Sequence, residues 1–303
     1  MNIEFNNIKT TSAIPGAAAM IETFRAIGYS LETAVADIVD NSISASAKNV
    51  WINRIWKGGD SIITIRDDGH GMSGDEIIQA MRPGAQNPLI ERSATDLGRF
   101  GLGLKTASFS QCRTLTVMSK IQGQSPEFWT WSLDHVAQCD RWELIHWLPE
   151  GFEHELDDLA SGTIVIWTNP DRIIPATTKA ENDNAKRKFS EAFDRVKKHL
   201  SMTFHRFLEA KSVAIHWGGH EIDPWNPFCP KESKVQIMPS EQIGEQVTVK
   251  GYILPHKNNF SSETAYRQAE GIFGFSAHQG FYVYRGDRLL LAGDWLGLFR
   301  THK

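Results

Sequence analysis

Ala36-Asp37-Ile38-Val39-Asp40-Asn41-Ser42 is the stretch that decides how this chain reads. Two more segments follow it in a fixed order. They are Asp67-Asp68-Gly69-His70-Gly71-Met72 and Gly98-Arg99-Phe100-Gly101-Leu102-Gly103-Leu104-Lys105-Thr106-Ala107-Ser108. Leu31, Val35, Ile38 and Ser42, flanked by Ala34 and Val39, recur at helical spacing and predict a helix from about Leu31 to Ala45. Ser30 is its candidate N-cap, with Glu32 in the first turn near the positive end of the dipole. On that helix Asp37 and Asn41 lie four apart and share a face, while Asp40 points elsewhere.

Downstream, 50–56 and 61–66 predict a strand pair joined by Lys57-Gly58-Gly59-Asp60, and its second strand runs straight into the acidic glycine motif. A short helix is predicted over 75–81. Residues 82–97 carry Pro83, Gly84, Asn87 and Pro88 without periodicity and read as a long functional loop, a lid. Strands are predicted at 115–119, 128–133, 142–146 and 163–168. A long helical stretch is predicted over 179–211, then short strands near 213–217, 247–254, 271–276, 280–284 and 289–291. Asn169-Pro170-Asp171 and Pro175 suggest a domain boundary, dividing the chain into 1–172 and 173–303.

The third segment nearly spells a P-loop, but Leu104 separates Gly103 from Lys105, and it follows a loop rather than a strand. A dinucleotide fingerprint would need glycine where Thr106 stands. What survives is the shared physics: glycines let a backbone approach phosphates, and the helix that follows offers free N–H groups.

Composition sets the outer bounds. The 303 residues are 41% hydrophobic and 22% charged, enough for a sizeable core, and the formal charge of −4 makes any nucleic-acid contact local. Cys112, Cys139 and Cys229 are odd in number and widely spaced, which argues against a disulfide framework and fits a reducing, cytoplasmic setting. The start lacks a leader pattern, and no run approaches the ~18 apolar residues of a membrane span.

The ordered motifs resemble the GHKL ATPases, the family uniting gyrase B, the ninety-kilodalton heat-shock chaperone, histidine kinases and MutL. Asn41 and Asp37 match the helix motif; Asp67, Gly69 and Gly71 match Asp-x-Gly-x-Gly; Gly101 and Gly103 match the Gly-x-Gly loop; Gly162-Thr163 matches a later Gly-Thr pair. Gly-Leu-Gly-Leu-Lys-Thr-Ala-Ser is most similar to the MORC branch, and residues 281–290 resemble a hairpin in the second domain of MORC and MutL proteins. The resemblance implies an α+β chain: a Bergerat-fold ATPase domain, a mixed sheet with helices on one face, followed by a transducer domain of the ribosomal-protein S5 fold.

It also implies roles. ATP and Mg²⁺ are the expected cofactors. Asn41 would offer an oxygen to the metal, and Asp37 would act as base on the attacking water. Asp67 would accept from the adenine amino group, and Lys105 would meet phosphate. Gly69, Gly71, Met72, Gly98, Phe100, Gly101, Leu102, Gly103, Leu104 and Thr163 would line the nucleotide. Each has a plainer reading: a solvated helix carboxylate for Asp37, a surface lysine for Lys105, turn glycines, an ordinary strand threonine for Thr163. Asp68 suits an Asx turn better than a ligand contact.

Three departures stand out. Asp37 is one methylene shorter than the usual Glu, Ser44 stands where many relatives have Asp, and the transducer lysine that reaches the γ-phosphate would lie beyond Lys303, in a chain truncated there or lacking that element. The expected behaviour is a slow ATPase that dimerises with ATP and acts on DNA or in a bacterial antiviral defence system, with operon-encoded protein partners. Residues 179–211, nine basic against five acidic, would supply the DNA contact or simply a solvated helix face. The alternatives are a chaperone-type clamp on protein clients and a nucleotide module without turnover. A histidine-kinase reading fits poorly with only about 30 residues before Leu31. His216 and His220 lack the further ligands of a metal site.

Overall fold

The structure, a computed structural model, describes Lys9 and residues 11–26, 28–84, 103–271 and 274–298. Helices α1 (Ala17–Arg25) and α2 (Leu31–Ser44) precede strands β1 (Asn49–Ile55) and β2 (Ile62–Asp67). Then come α3 (Gly74–Met81), α4 (Gly103–Phe109), β3 (Thr114–Lys120), β4 (Glu127–Ser132), α5 (Leu133–Cys139) and β5 (Gly162–Thr168). Next follow α6 (Asp183–Thr203), α7 (His205–Glu209), β6 (Ala214–Trp217) and β7 (His220–Glu221).

Seven strands form one sheet in the order β4-β3-β5-β2-β1-β6-β7. It is mixed: β6 runs parallel to β1, and the other neighbours are antiparallel. Alternation divides the strand side chains between two layers. Ile63, Ile65, Leu115, Val117, Val165 and Trp167 enter the main core with residues of α1 to α6. Ile62, Met118, Ile164 and Ile166 enter a smaller cluster capped by Phe152 and Leu156. Both faces being covered explains why β2 and β5 read as nearly continuous apolar runs.

Helix α2 starts where the sequence says, while the helix expected over 179–211 begins at Asp183 and is split into α6 and α7 at Phe204. Ser30 Oγ accepts the Thr33 N–H at 3.2 Å, and Ser73 forms a reciprocal capping box with Glu76. Arg25 of α1 is buried, donating to both oxygens of Asp171 at 2.9 and 2.7 Å and to the Cys112 carbonyl at 2.9 Å.

Two local expectations give way. Residues 142–146 form no strand, only a bridge between Ile145 and Thr130, because α5 and a left-handed Asp140 (φ 47°) intervene and return the chain to β4 for a single pairing. The described part of 271–276 is turn. The sheet and main core also continue past residue 172: Phe189, Phe193, Val196 and Leu200 of α6, spaced 4-3-4, pack into the same cluster as α2, and β6 extends the sheet. The division expected at 172/173 therefore coincides with no break in either; the sheet runs on to Glu221 and the core to Ile222.

Beyond it lie short, mostly exposed pairs, β8 (Gln236–Ile237) with β11 (Tyr252–Ile253) and β9 (Glu241–Ile243) with β10 (Val247–Val249), then α8 (Glu263–Ala269). A hairpin of β12 (Phe281–Arg285) and β13 (Arg288–Asp294) follows.

Candidate nucleotide site

The pocket begins at the end of β2. Asp67 is 6% exposed, and its carboxylate is held on both oxygens: Oδ2 accepts the Ser42 hydroxyl at 2.8 Å, and Oδ1 accepts the Gly69 N–H at 2.9 Å. The Thr163 backbone adds a third bond, and the carboxylate still keeps a free lone pair. Burial raises the proton affinity of this carboxyl, while the bonds from Ser42 and from the Gly69 and Thr163 backbone pull the other way. The glycines permit the approach. A Cβ on Gly69 would lie 2.8 Å from the Ala45 Cβ and 2.9 Å from Asp67 Oδ1. Gly71, at φ +74°, would drive one to 1.9 Å from the Lys120 carbonyl oxygen.

Ser42 follows Asn41, so the Ser42–Asp67 bond seats the end of α2 against the second motif. Asn41 is exposed and Asp37, one turn earlier, is half-buried. A Cβ on Gly103, the first residue of α4, would be 3.7 Å from Asp37 Oδ2, so the described part of the third motif also meets this face. Asp37 bonds to the Tyr29 hydroxyl, which also bonds to Thr106. Burial raises the proton affinity of Asp37, opposed by the Tyr29 bond and the charge of Arg288. Gly98, Phe100, Gly101, Leu102 and the lid beyond residue 84 lie outside the described residues.

Other expected residues go elsewhere. The Thr163 hydroxyl pairs with Ser119 Oγ at 2.8 Å, and Thr163 meets the Asp67 carboxylate through its backbone. Ser119 Oγ also accepts the Met72 N–H at 2.8 Å, while the Met72 and Leu104 side chains pack against the main core. Lys105 does not face the pocket. It is 2% exposed and donates to the carbonyls of Ala80 (2.8 Å) and Arg82 (3.2 Å), the negative end of α3, where burial lowers its pKa to about 8. Asp68 accepts the backbone N–H groups of Lys48 and Asn49 at 2.7 and 2.8 Å, which ties the end of β2 to the start of β1 instead of closing the expected Asx turn.

Two residues escaped sequence reasoning. Tyr29 lies before the helix pattern and carries no motif signal. Asp40 looked like an idle helix carboxylate, yet it is 7% exposed and receives Arg288 of the distant hairpin: Nε reaches its oxygens at 3.2 and 3.1 Å, and Nη2 reaches Oδ2 at 2.9 Å. Arg288 Nη2 also lies 3.9 Å from Asp37 Oδ1. The hairpin is further seated by Tyr284, whose hydroxyl is 2.8 Å from Nε2 of the buried His205 and whose ring lies under the Arg206 guanidinium. A separate apolar cleft at Ile78, Trp129, Trp131 and Trp142 holds none of these carboxylates.

Residues 29–163 match the family model described as histidine kinase-, DNA gyrase B- and HSP90-like ATPase. Over these residues the chain is similar to the GHKL ATPase superfamily. Members of this superfamily are ATPases whose domain binds ATP, typically with Mg²⁺, and the sheet with its single helical layer is the Bergerat arrangement. The chain is 31% identical over 91 residues to the ATPase morc-1 of Caenorhabditis elegans, covering 30% of this chain and 10% of that protein. It is 35% identical over 97 residues to the DNA mismatch repair protein MutL of Thermus aquaticus, covering 31% and 17%. It is 30% identical over 132 residues to MutL of Paramagnetospirillum magneticum, covering 43% and 21%. These alignments thus take in between a tenth and about a fifth of each relative's length. The ATPase and transducer domains of DNA topoisomerase II from Balamuthia mandrillaris align with a TM-score of 0.43 at 13% identity, covering 64% of this chain and 48% of that one.

Proposed function

We propose that this chain is a slow, ATP-driven switch in which the nucleotide sits between α2, the β2 end and the start of α4. One observation carries the reading: the Ser42–Asp67 bond and the approach of Asp37 to Gly103 gather parts of three sequence-distant motifs around one helix face. Asp67, held by neutral donors with a lone pair to spare, is suited to accept from an exocyclic amino group and so to favour adenine. Asn41, an exposed oxygen donor one turn from Asp37, fits a hard cation. Mg²⁺ held there would neutralise phosphate charge. Asp37, its proton affinity raised by burial and its carboxylate oriented by Tyr29, is placed to accept a proton from attacking water. Lys105 is outside this catalytic set while it caps α3.

In this reading the region after Ile222 is an S5-like transducer, and Arg288 on Asp40 is its mechanical link to the nucleotide helix. ATP-dependent dimerisation, closure of the 82–97 loop over the γ-phosphate and an action on DNA, in antiviral defence or DNA processing with operon partners, extend it. Support for DNA comes from the MORC and MutL similarity and from exposed Lys186, Lys188 and Lys198 on α6. Arg195 and Arg187 of the same helix already pair with Glu32 and Glu191. Among the described residues no helix is long and apolar enough to cross a membrane.

Calorimetry with Mg·ATP tests the site. Wild type should bind. Asp67→Asn should bind about 10- to 100-fold more weakly, the worth of about 1.5–3 kcal/mol for a charged hydrogen bond. Asp37→Ala should still bind but lose about 10²–10⁴-fold in phosphate release. No heat with wild type ends the proposal; equal phosphate release by wild type and Asp37→Ala leaves a binding module without turnover. Solution mass with and without a non-hydrolysable analogue reads dimerisation. Salt-dependent DNA binding separates the DNA reading from a chaperone-type clamp.

A further inference from the structure

Away from the nucleotide site, the end of α5 gathers three metal-ligating groups of different chemistry. His135 and Cys139 stand four apart on one helix face. Asp140 then takes a left-handed conformation (φ 47°, ψ 39°), and the Glu143 N–H closes a tight turn on the Arg141 carbonyl at 3.0 Å. That turn brings Glu143 back over the helix. Its Oε2 lies 3.3 Å from His135 Nε2 and 4.0 Å from Cys139 Sγ, and all three donor atoms fall within 4.8 Å of one another. The other carboxylate oxygen, Oε1, is held by Arg141 Nε at 3.1 Å, which fixes the plane of the carboxylate and leaves Oε2 facing the other two donors.

We propose that His135, Cys139 and Glu143 bind one zinc-class transition-metal ion. With Zn–N and Zn–O bonds of about 2.0–2.1 Å and Zn–S of about 2.3 Å, a tetrahedral ion sets its N and O ligands about 3.3 Å apart and its S and O ligands about 3.6 Å apart. The first separation is already present, and the second needs the thiol to move by a few tenths of an ångström. The imidazole and thiolate select a borderline ion over Mg²⁺ or Ca²⁺. Thiolate and carboxylate together neutralise a divalent charge, and the thiol proton passes to solvent on binding. All three residues are half-buried, so the fourth position is open to water. Arg141 acts as the outer support that such ligands use. The ion would lock the end of α5 where Asp140 Oδ1 caps α1 by accepting the Ala18 N–H at 2.9 Å, so its effect is on the order of the α1–α5 side of the domain.

The test uses the full chain, stripped with chelator under reducing conditions and titrated with Co²⁺ and then Zn²⁺ without nucleotide. One ion per chain is expected, with a near-ultraviolet sulfur-to-cobalt band and a higher Tm with Zn²⁺. Cys139→Ser should abolish the band, and Cys139→Ser and Glu143→Gln should each weaken Zn²⁺ binding at least about tenfold. Cys229→Ser should change nothing. A wild-type chain with no cobalt–sulfur band overturns the proposal, as does a band that survives Cys139→Ser or disappears with Cys229→Ser.

Discussion

The two sides of α2 each bury a carboxylate, and they satisfy it in opposite ways. At the β2 end Asp67 is held by the Ser42 hydroxyl from the first motif and by the Gly69 N–H of its own motif. On the hairpin side Asp40 is held by a guanidinium 248 residues away in sequence. Neutral donors fix a carboxylate while leaving its charge available to a ligand. A guanidinium consumes the charge and converts it into a tie between distant parts of the chain. The first arrangement suits recognition and the second suits coupling. Asp37 sits between them, bonded to Tyr29 and 3.9 Å from the same Arg288.

The largest expected effect is on the hairpin side. The Arg288 and Asp40 side chains are only 13% and 9% exposed, so Arg288→Met leaves an uncompensated buried carboxylate. It should lower unfolding free energy by about 3–5 kcal/mol, read by urea denaturation. Adding Asp40→Asn should recover part of that loss, because the stranded charge goes with it. A loss below about 1 kcal/mol in the single variant would show that the tie does not hold the hairpin.

Next in size is a pH effect confined to Asp40. Burial outweighs the nearby guanidinium and lifts its pKa from 3.8 to about 6. The folded chain therefore binds this proton more tightly than the unfolded chain does. Stability from this group rises as pH falls through 6, and the gain is complete below 3.8. About two units at 1.36 kcal/mol each set a ceiling of about 3 kcal/mol. Carboxylates such as Glu32, whose pKa is lowered, contribute in the opposite direction. The readout is thus the difference between wild type and Asp40→Asn at pH 7 and pH 4. Wild type should gain on the variant as pH falls, and a flat difference defeats the assignment.

The same contrast explains what could be read from the chain itself. The Asp67 side was legible because its partners are local motifs: α2 begins at Ser30 as its cap requires, and β2 runs into Asp67-Asp68-Gly69 as its isoleucines require. Asp40 was illegible because its partner follows a turn in a hairpin whose docking depends on tertiary packing by His205, Arg206 and Tyr284. Lys105 misled for a related reason. Its place after the glycine loop suggests phosphate, but α3 ends within its reach and offers two carbonyls. The strand expected at 142–146 failed on the turn set by Asp140, a backbone conformation that no periodicity reports.

The smallest expected effect sharpens the comparison most. Ser42→Ala removes the hydroxyl on Asp67 Oδ2 and leaves the Gly69 N–H on Oδ1. An unsatisfied buried acceptor costs about 1–2 kcal/mol of stability, at the low end where water refills the gap. ATP affinity should fall roughly tenfold, about 1.4 kcal/mol, because Asp67 keeps its charge but loses one of the bonds that aim it. Ser42 and Arg288 share no partner, so without nucleotide Ser42→Ala and Arg288→Met should add to within about 0.5 kcal/mol. If recognition on one side of α2 is transmitted to the hairpin on the other, saturating Mg·ATP must make the two substitutions non-additive. Additivity in both conditions would leave Asp67 and Asp40 as neighbours on one helix with nothing passing between them.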